Sequence, residues 1–124
     1  MYTYIIVDDE TLTRKGTIKK ISEGKIGSIV SCIGQASNGQ DALKLVEIST
    51  PDIVITDMQM PIMDGLAFLK ELTEKHSSMQ VIVISGHRDF EYARGAMNAR
   101  AIGYILKPFS REEIQNAVQH AVEA

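Results

Sequence analysis

The sequence predicts a three-layer α/β sandwich, a (βα)5 arrangement in which helices cover both faces of a five-stranded parallel sheet. Short runs of β-branched and apolar residues alternate five times with segments of helical spacing joined by short connections, the pattern of a parallel sheet with right-handed crossovers. The first, third, fourth and fifth runs each end in a polar or charged residue, as strands do when their carboxyl ends open onto a ligand crevice.

Tyr4-Ile5-Ile6-Val7 reads as a buried strand that stops at Asp8-Asp9-Glu10. Thr11 to about Ser22 follows as an amphipathic helix, apolar at Leu12, Ile18 and Ile21, with Arg14, Lys15, Lys19 and Lys20 on a basic outer face. Gly24 and Gly27 mark the turn out of it. A second strand is expected over Ser28 to Ala36. Ser37-Asn38-Gly39-Gln40 then supplies capping residues for a helix through about Ile48, with Ala42, Leu45 and Val46 inward. Pro51 breaks the chain before the strand Ile53 to Thr56, which delivers Asp57 at its end. Beyond the loop Met58 to Gly65, a third helix reaches about Lys75 with Leu66, Leu69 and Leu72 inward.

Val81-Ile82-Val83-Ile84 is the most hydrophobic run, and it leads into Ser85-Gly86-His87. The next helix, Asp89 to Ala99, has helical spacing at Phe90, Ala93 and Met97, and its alanines and Gly95 make it the most weakly anchored of the five. Gly103 to Lys107 is the last strand, ended by Pro108. A proline after a strand end that bears chemistry, in a tight turn, is expected to follow a cis Lys107-Pro108 bond. Ser110 with Glu113 three residues on forms a capping box for a final helix striped by Ile114, Ala117, Val118, Ala121 and Val122. Periodicity alone leaves the strand order open between two common doubly wound choices.

A chain of 124 residues fits one domain, residues 1–124, with 44% apolar and 23% charged residues and a formal net charge of -3. That mildly acidic balance lacks the basic stripe that phosphate-backbone binding requires, so direct nucleic-acid binding by this segment is not expected. The apolar runs are too short to span a membrane and Met1-Tyr2-Thr3-Tyr4 does not open a signal peptide, which makes the cytoplasm the expected compartment. The single cysteine, Cys32, excludes an internal disulfide and reads as a structural thiol. His76, His87 and His120 have no metal-ligand spacing.

Adjacent strands would bring Asp8, Asp9, Asp57, Ser85 and Lys107 together. Crowded carboxylates either raise a pKa or recruit a cation, and an oxygen-only set suits Mg²⁺. Lys107 offers a compact charge to one phosphoryl oxygen and Ser85 a hydroxyl to another. Asp57 would then be a nucleophile toward phosphorus, forming an acyl phosphate. Each residue alone has a plainer explanation: a strand-end cap for Asp57, a solvated turn for Asp8-Asp9, a loop hydroxyl for Ser85, a surface cation for Lys107. Their joint placement is what argues for chemistry.

The set Asp8-Asp9, Asp57 followed by Met60-Pro61 and Asp64-Gly65, Ser85-Gly86, Tyr104 and Lys107-Pro108 resembles the receiver domain of two-component response regulators, over essentially the whole chain from Tyr4 to the last helix. The resemblance implies a flavodoxin-like strand order 2-1-3-4-5. It implies Mg²⁺ held by Asp9, Asp57 and the backbone carbonyl of Gln59, with Asp8 acting through water, and a sensor histidine kinase as phosphoryl donor to Asp57. It further implies a switch in which Ser85 moves toward the phosphoryl group, Tyr104 turns inward, and the face of the fourth helix, fifth strand and fifth helix changes partners, including a possible homodimer through that face. Gln59 and His87 occupy positions where the family tunes phosphate lifetime, and Ser85 stands where threonine is commoner. The stretch Ser85 to Ala93 is similar to receivers fused to arabinose-regulator-type helix-turn-helix domains, which implies a C-terminal DNA-binding output domain and regulation of transcription.

Two rival chemistries fit less well. A Mg²⁺-dependent phosphatase working through an aspartyl phosphate resembles a pattern with a second acid where Gln59 stands, and a nucleotide carrier wants glycine and hydroxyls where Asp8-Asp9-Glu10 lies. The domain is therefore expected to catalyse only its own phosphorylation and dephosphorylation.

Overall fold

A computed structural model describes residues 1–86 and 89–124. Five strands, β1 (Tyr2–Val7), β2 (Val30–Ala36), β3 (Ile53–Asp57), β4 (Gln80–Ser85) and β5 (Gly103–Leu106), alternate with five helices, α1 (Thr11–Ser22), α2 (Gly39–Ser49), α3 (Gly65–Lys75), α4 (Phe90–Asn98) and α5 (Arg111–Glu123). The sheet order is β2-β1-β3-β4-β5, with every neighbouring pair parallel. The order that periodicity left open is thus the flavodoxin-like one. The registers Val7↔Thr56 and Asp57↔Ile84 align the carboxyl ends of β1, β3 and β4, so the residues just beyond them share one edge.

The two faces of the sheet carry separate cores. Ile6, Ile55, Ile82, Ile84 and Ile105 pack with Ile21 of α1 and Ile114, Val118 and Ala121 of α5. Ile5, Val7, Val54, Val81 and Val83 pack with Ala42 and Val46 of α2, and with Phe68, Leu69 and Leu72 of α3. The alternation of two side-chain sets along β1, β3 and β4 explains why these strands read as continuous apolar runs: both faces are covered. Burial also pushes the Tyr4 hydroxyl and the Cys32 thiol up, and the half-buried Cys32 Sγ donates to the Gly34 carbonyl at 3.5 Å, an unreactive setting.

Three expectations need correction. A 3-10 turn at Lys25–Ser28, plugged by buried Ile26, precedes β2, so the strand starts at Val30 rather than Ser28, and Ile29 is exposed. Leu12 is exposed, and the inward residues of α1 are buried Thr17 and Ile21 with Ile18 packed beside them. In α4 the large residues Phe90 and Met97 point to solvent together with Ala93, and the face packed inward is Tyr92, Gly95, Ala96 and Ala99. The approach is tightest at Gly95, where a Cβ would lie 2.3 Å from Leu66 Cδ2, so a side chain at that one position would have to displace Leu66.

One loop conformation has a measurable consequence. Ile62, 78% exposed in the loop after β3, has φ 69, a region that disfavours a β-branched residue. It loses little packing on replacement. Ile62→Asn is expected to stabilise the fold by about 1 kcal/mol, read as a higher urea midpoint at unchanged slope.

Candidate phosphoryl-acceptor site

Asp57 closes β3, where every residue from Ile53 onward is buried, and is itself only 6% exposed. Its Oδ1 accepts a hydrogen bond from the Met58 amide at 2.7 Å and its Oδ2 one from Lys107 Nζ at 3.0 Å. Gly65 allows this placement: the first residue of α3 comes so near the strand end that a Cβ there would meet Met58 Cα at 2.5 Å and the Asp57 carbonyl at 2.7 Å. The Gly65 amide donates to the Met58 carbonyl at 2.7 Å, and Asp64 caps α3 through the Ala67 amide at 3.0 Å. The Asp64-Gly65 pair therefore fixes the loop that follows Asp57.

Lys107, just past β5, is the hub of the polar cluster. Its Nζ lies 2.9 Å from Asp8 Oδ2 and 3.0 Å from Asp57 Oδ2, joining the ends of β1 and β3. The Lys107 amide donates to the Ser85 carbonyl at 2.8 Å, and the Lys107-Pro108 bond is cis. Burial alone would lower the Lys107 pKa, but hydrogen bonds and charge from Asp8 and Asp57 outweigh it and the net shift is upward. Asp57 is raised, chiefly by burial, with Asp8 adding to the rise while Lys107 and the Met58 amide oppose it.

Buried Asp8 and exposed Asp9 stand with exposed Glu10 just beyond β1, and carboxylate oxygens of the three lie within 4.8 Å of one another. Asp8 Oδ1 accepts from the Glu10 amide at 2.9 Å. Asp9, Glu10, Asp57, exposed Gln59, Gly86 and Lys107 line one solvent-open cleft. Its donors are oxygens, with no thiol or imidazole among the described residues, and three carboxylates with open positions suit a hard divalent cation that keeps water ligands.

Ser85 is fully buried at the end of β4, next to the register partner of Asp57. Tyr104 lies on β5 opposite Val83 and is exposed. The structure brings Asp8, Asp9, Asp57, Ser85, Gln59 and Lys107 to one edge of the sheet and leaves Tyr104 outside the cleft. His87 lies outside the described residues. Sequence reasoning read Glu10 as part of the acidic loop with Asp8-Asp9 but did not count it among the candidate metal ligands, where the structure sets its carboxylate beside theirs. It also placed Arg14 on the outer helix face, whereas that side chain turns back to the loop after β1.

A family model of the response regulator receiver domain matches residues 4–119. The chain belongs to the response regulator receiver family. Among curated relatives, this receiver is 37% identical over 122 residues to the uncharacterized transcriptional regulatory protein YesN of Bacillus subtilis, covering 98% of this chain and 33% of YesN. It is 33% identical to the nitrate/nitrite response regulator protein NarL of Escherichia coli K12, covering 96% of this chain and 54% of NarL. The receiver thus spans about a third to a half of these relatives. Among solved structures, the signal receiver domain of the putative response regulator NarL from Mycobacterium tuberculosis superposes with a TM-score of 0.87 at 28% identity, covering 99% of this chain and 97% of that one. The receiver domain of AraT, a response regulator from Geobacillus stearothermophilus, gives 0.86 at 29% identity, covering 98% and 94%. No helix among the described residues is long and apolar enough to cross a membrane.

Proposed function

We propose that this receiver, taken as one domain over residues 1–124, is the phosphoacceptor switch of a cytoplasmic two-component system, with Asp57 as acceptor. The carrying observation is that Lys107 joins buried Asp57 to Asp8 at the mouth of an oxygen-lined cleft. An Asp57 carboxylate oxygen attacks phosphorus of a kinase phosphohistidine. The new O–P bond forms as the P–N bond breaks, and the imidazole leaves with the electron pair and takes a proton from solvent. Lys107 Nζ passes from the Asp57 oxygen to a phosphoryl oxygen, offsetting charge as it develops. Asp8, Asp9, Asp57 and the Gln59 carbonyl would hold Mg²⁺, which when bound supplies Lewis-acid neutralisation of the incoming phosphoryl group. The reactions assigned to the chain are the phosphorylation and dephosphorylation of its own Asp57.

Ser85 and Tyr104 would carry the readout. A phosphoryl group on Asp57 offers the Ser85 hydroxyl and Lys107 contacts that exist in one state only, and exposed Tyr104 turns inward as Ser85 moves. Driving such a switch from mostly off to mostly on takes about 5.5 kcal/mol, within reach of several charge-assisted bonds. The α4-β5-α5 face would then change partners, either by homodimerising or by releasing a C-terminal DNA-binding output domain of the arabinose-regulator type. Gln59 and His87 would set the lifetime of the phosphorylated state. The similarity to YesN and NarL supports an output in transcription.

The expected result is Mg²⁺-dependent uptake of one phosphoryl group from phosphoramidate or acetyl phosphate, followed by intact-mass spectrometry. Uptake equal in Mg²⁺ and in excess chelator contradicts the reading.

A further inference from the structure

Arg14 has a role that its place on a basic helix does not explain. Its guanidinium makes three side-chain bonds: Nη1 to the Asp8 carbonyl at 2.5 Å, Nε to Gln35 Oε1 on β2 at 3.1 Å, and Nη2 to Thr11 Oγ1 at 3.3 Å. Its backbone amide donates to the Glu10 carbonyl at 3.0 Å. With the Asp8 amide on the Ala36 carbonyl at 3.0 Å, the turn carrying Asp8, Asp9 and Glu10 is tied on both sides, to β2 and to α1. Yet among the described residues no carboxylate pairs with Arg14, although three stand close by. All the Arg14 side-chain bonds go to neutral oxygens, so Arg14 itself occupies no carboxylate oxygen of the cluster.

We infer that Arg14 is a positioning residue for the acidic cluster, holding the backbone between Asp8 and Asp9 so that their carboxylates stay converged for a divalent cation. The inference rests on the proposed Mg²⁺ site. Two effects of Arg14 oppose each other. Its positive charge repels an incoming cation, but in a cleft open to water and salt this amounts to about twofold in affinity. Loss of a group that orients ligands weakens metal binding by about tenfold or more. Positioning therefore outweighs repulsion. A lysine at this site carries the charge without the planar fork that reaches a carbonyl and an amide oxygen together.

The test is Mg²⁺ titration by calorimetry on the wild-type chain, Arg14→Met, Arg14→Lys and Gln35→Leu, each checked for folding by circular dichroism. Gln35 is exposed on an edge strand, so its variant keeps the fold while loosening one arm of the fork. About tenfold weaker binding in Arg14→Met, little recovery in Arg14→Lys and a smaller loss in Gln35→Leu support the inference. Unchanged or tighter binding in folded Arg14→Met overturns it and leaves the metal site standing. Should Arg14→Met not fold, unchanged binding in Gln35→Leu overturns it instead. A wild-type chain that takes up no Mg²⁺ overturns the metal site and the inference together.

Discussion

Lys107→Ala is expected to cut phosphoryl uptake by about two to three orders of magnitude, the loss that follows removal of one preorganised donor to developing charge. The lysine is the ammonium that contacts both Asp8 and Asp57, at 2.9 and 3.0 Å, and its short, mobile head can exchange a carboxylate for a phosphoryl oxygen. A second effect accompanies the first. Removing one partner of a buried ion pair costs about 3–5 kcal/mol where water cannot follow. Here the Lys107 side chain is 20% exposed and the cleft is open, so water reaches the abandoned carboxylates. The destabilisation should therefore fall nearer the loss of charge-assisted hydrogen bonds, about 2 kcal/mol. Lys107→Arg should recover part of the stability and little of the uptake, because a planar fork does not occupy the position of a point charge. Urea unfolding and uptake kinetics on the same samples check both halves; a variant with wild-type uptake would remove Lys107 from the chemistry.

Asp57→Asn should abolish uptake and also stabilise the fold at neutral pH. The sign follows from the direction of the shift. Burial raises the folded-state pKa of Asp57 above its unfolded value, despite the opposing lysine. Such a group contributes stability below its unfolded carboxyl range, and the contribution is lost as pH rises through the raised folded pKa. At neutral pH the ionised carboxylate therefore weighs against the folded state, while asparagine has no charge to desolvate. Asp8 retains Lys107 in the variant. Urea midpoints across the acid range should show the variant's advantage at neutral pH shrinking as pH falls. An advantage that grows toward acid pH would contradict the burial account.

The fold was legible because buried parallel strands leave a strong mark. Val81 to Ile84 is apolar on both faces, and Pro51, Asp64-Gly65 and the Ser110/Glu113 capping box punctuate it with local chemistry that survives in the structure. What escaped were features set by distance between elements. Helix α4 reads as if Phe90 and Met97 were anchors, but the face packed inward is Tyr92, Gly95, Ala96 and Ala99, with Gly95 close against Leu66, and spacing carries no information on how near two helices lie. The same holds for Ile26, which fills a gap that no periodicity marks. At the site, the carboxylates, Ser85 and Lys107 stood out because polar residues end apolar strands. Arg14 did not, since a long side chain on an amphipathic helix looks solvated until its partners Asp8 and Gln35 are placed.

The central claim is that Asp57 is the residue that takes the phosphoryl group. Phosphorylating the chain with phosphoramidate and Mg²⁺, trapping the acyl phosphate by hydride reduction and sequencing the peptides by mass spectrometry locates it directly. The account predicts reduction at Asp57 alone and none in Asp57→Asn. Reduction at Asp8 or Asp9 in the wild-type chain, or full phosphoryl uptake in Asp57→Asn, would contradict it.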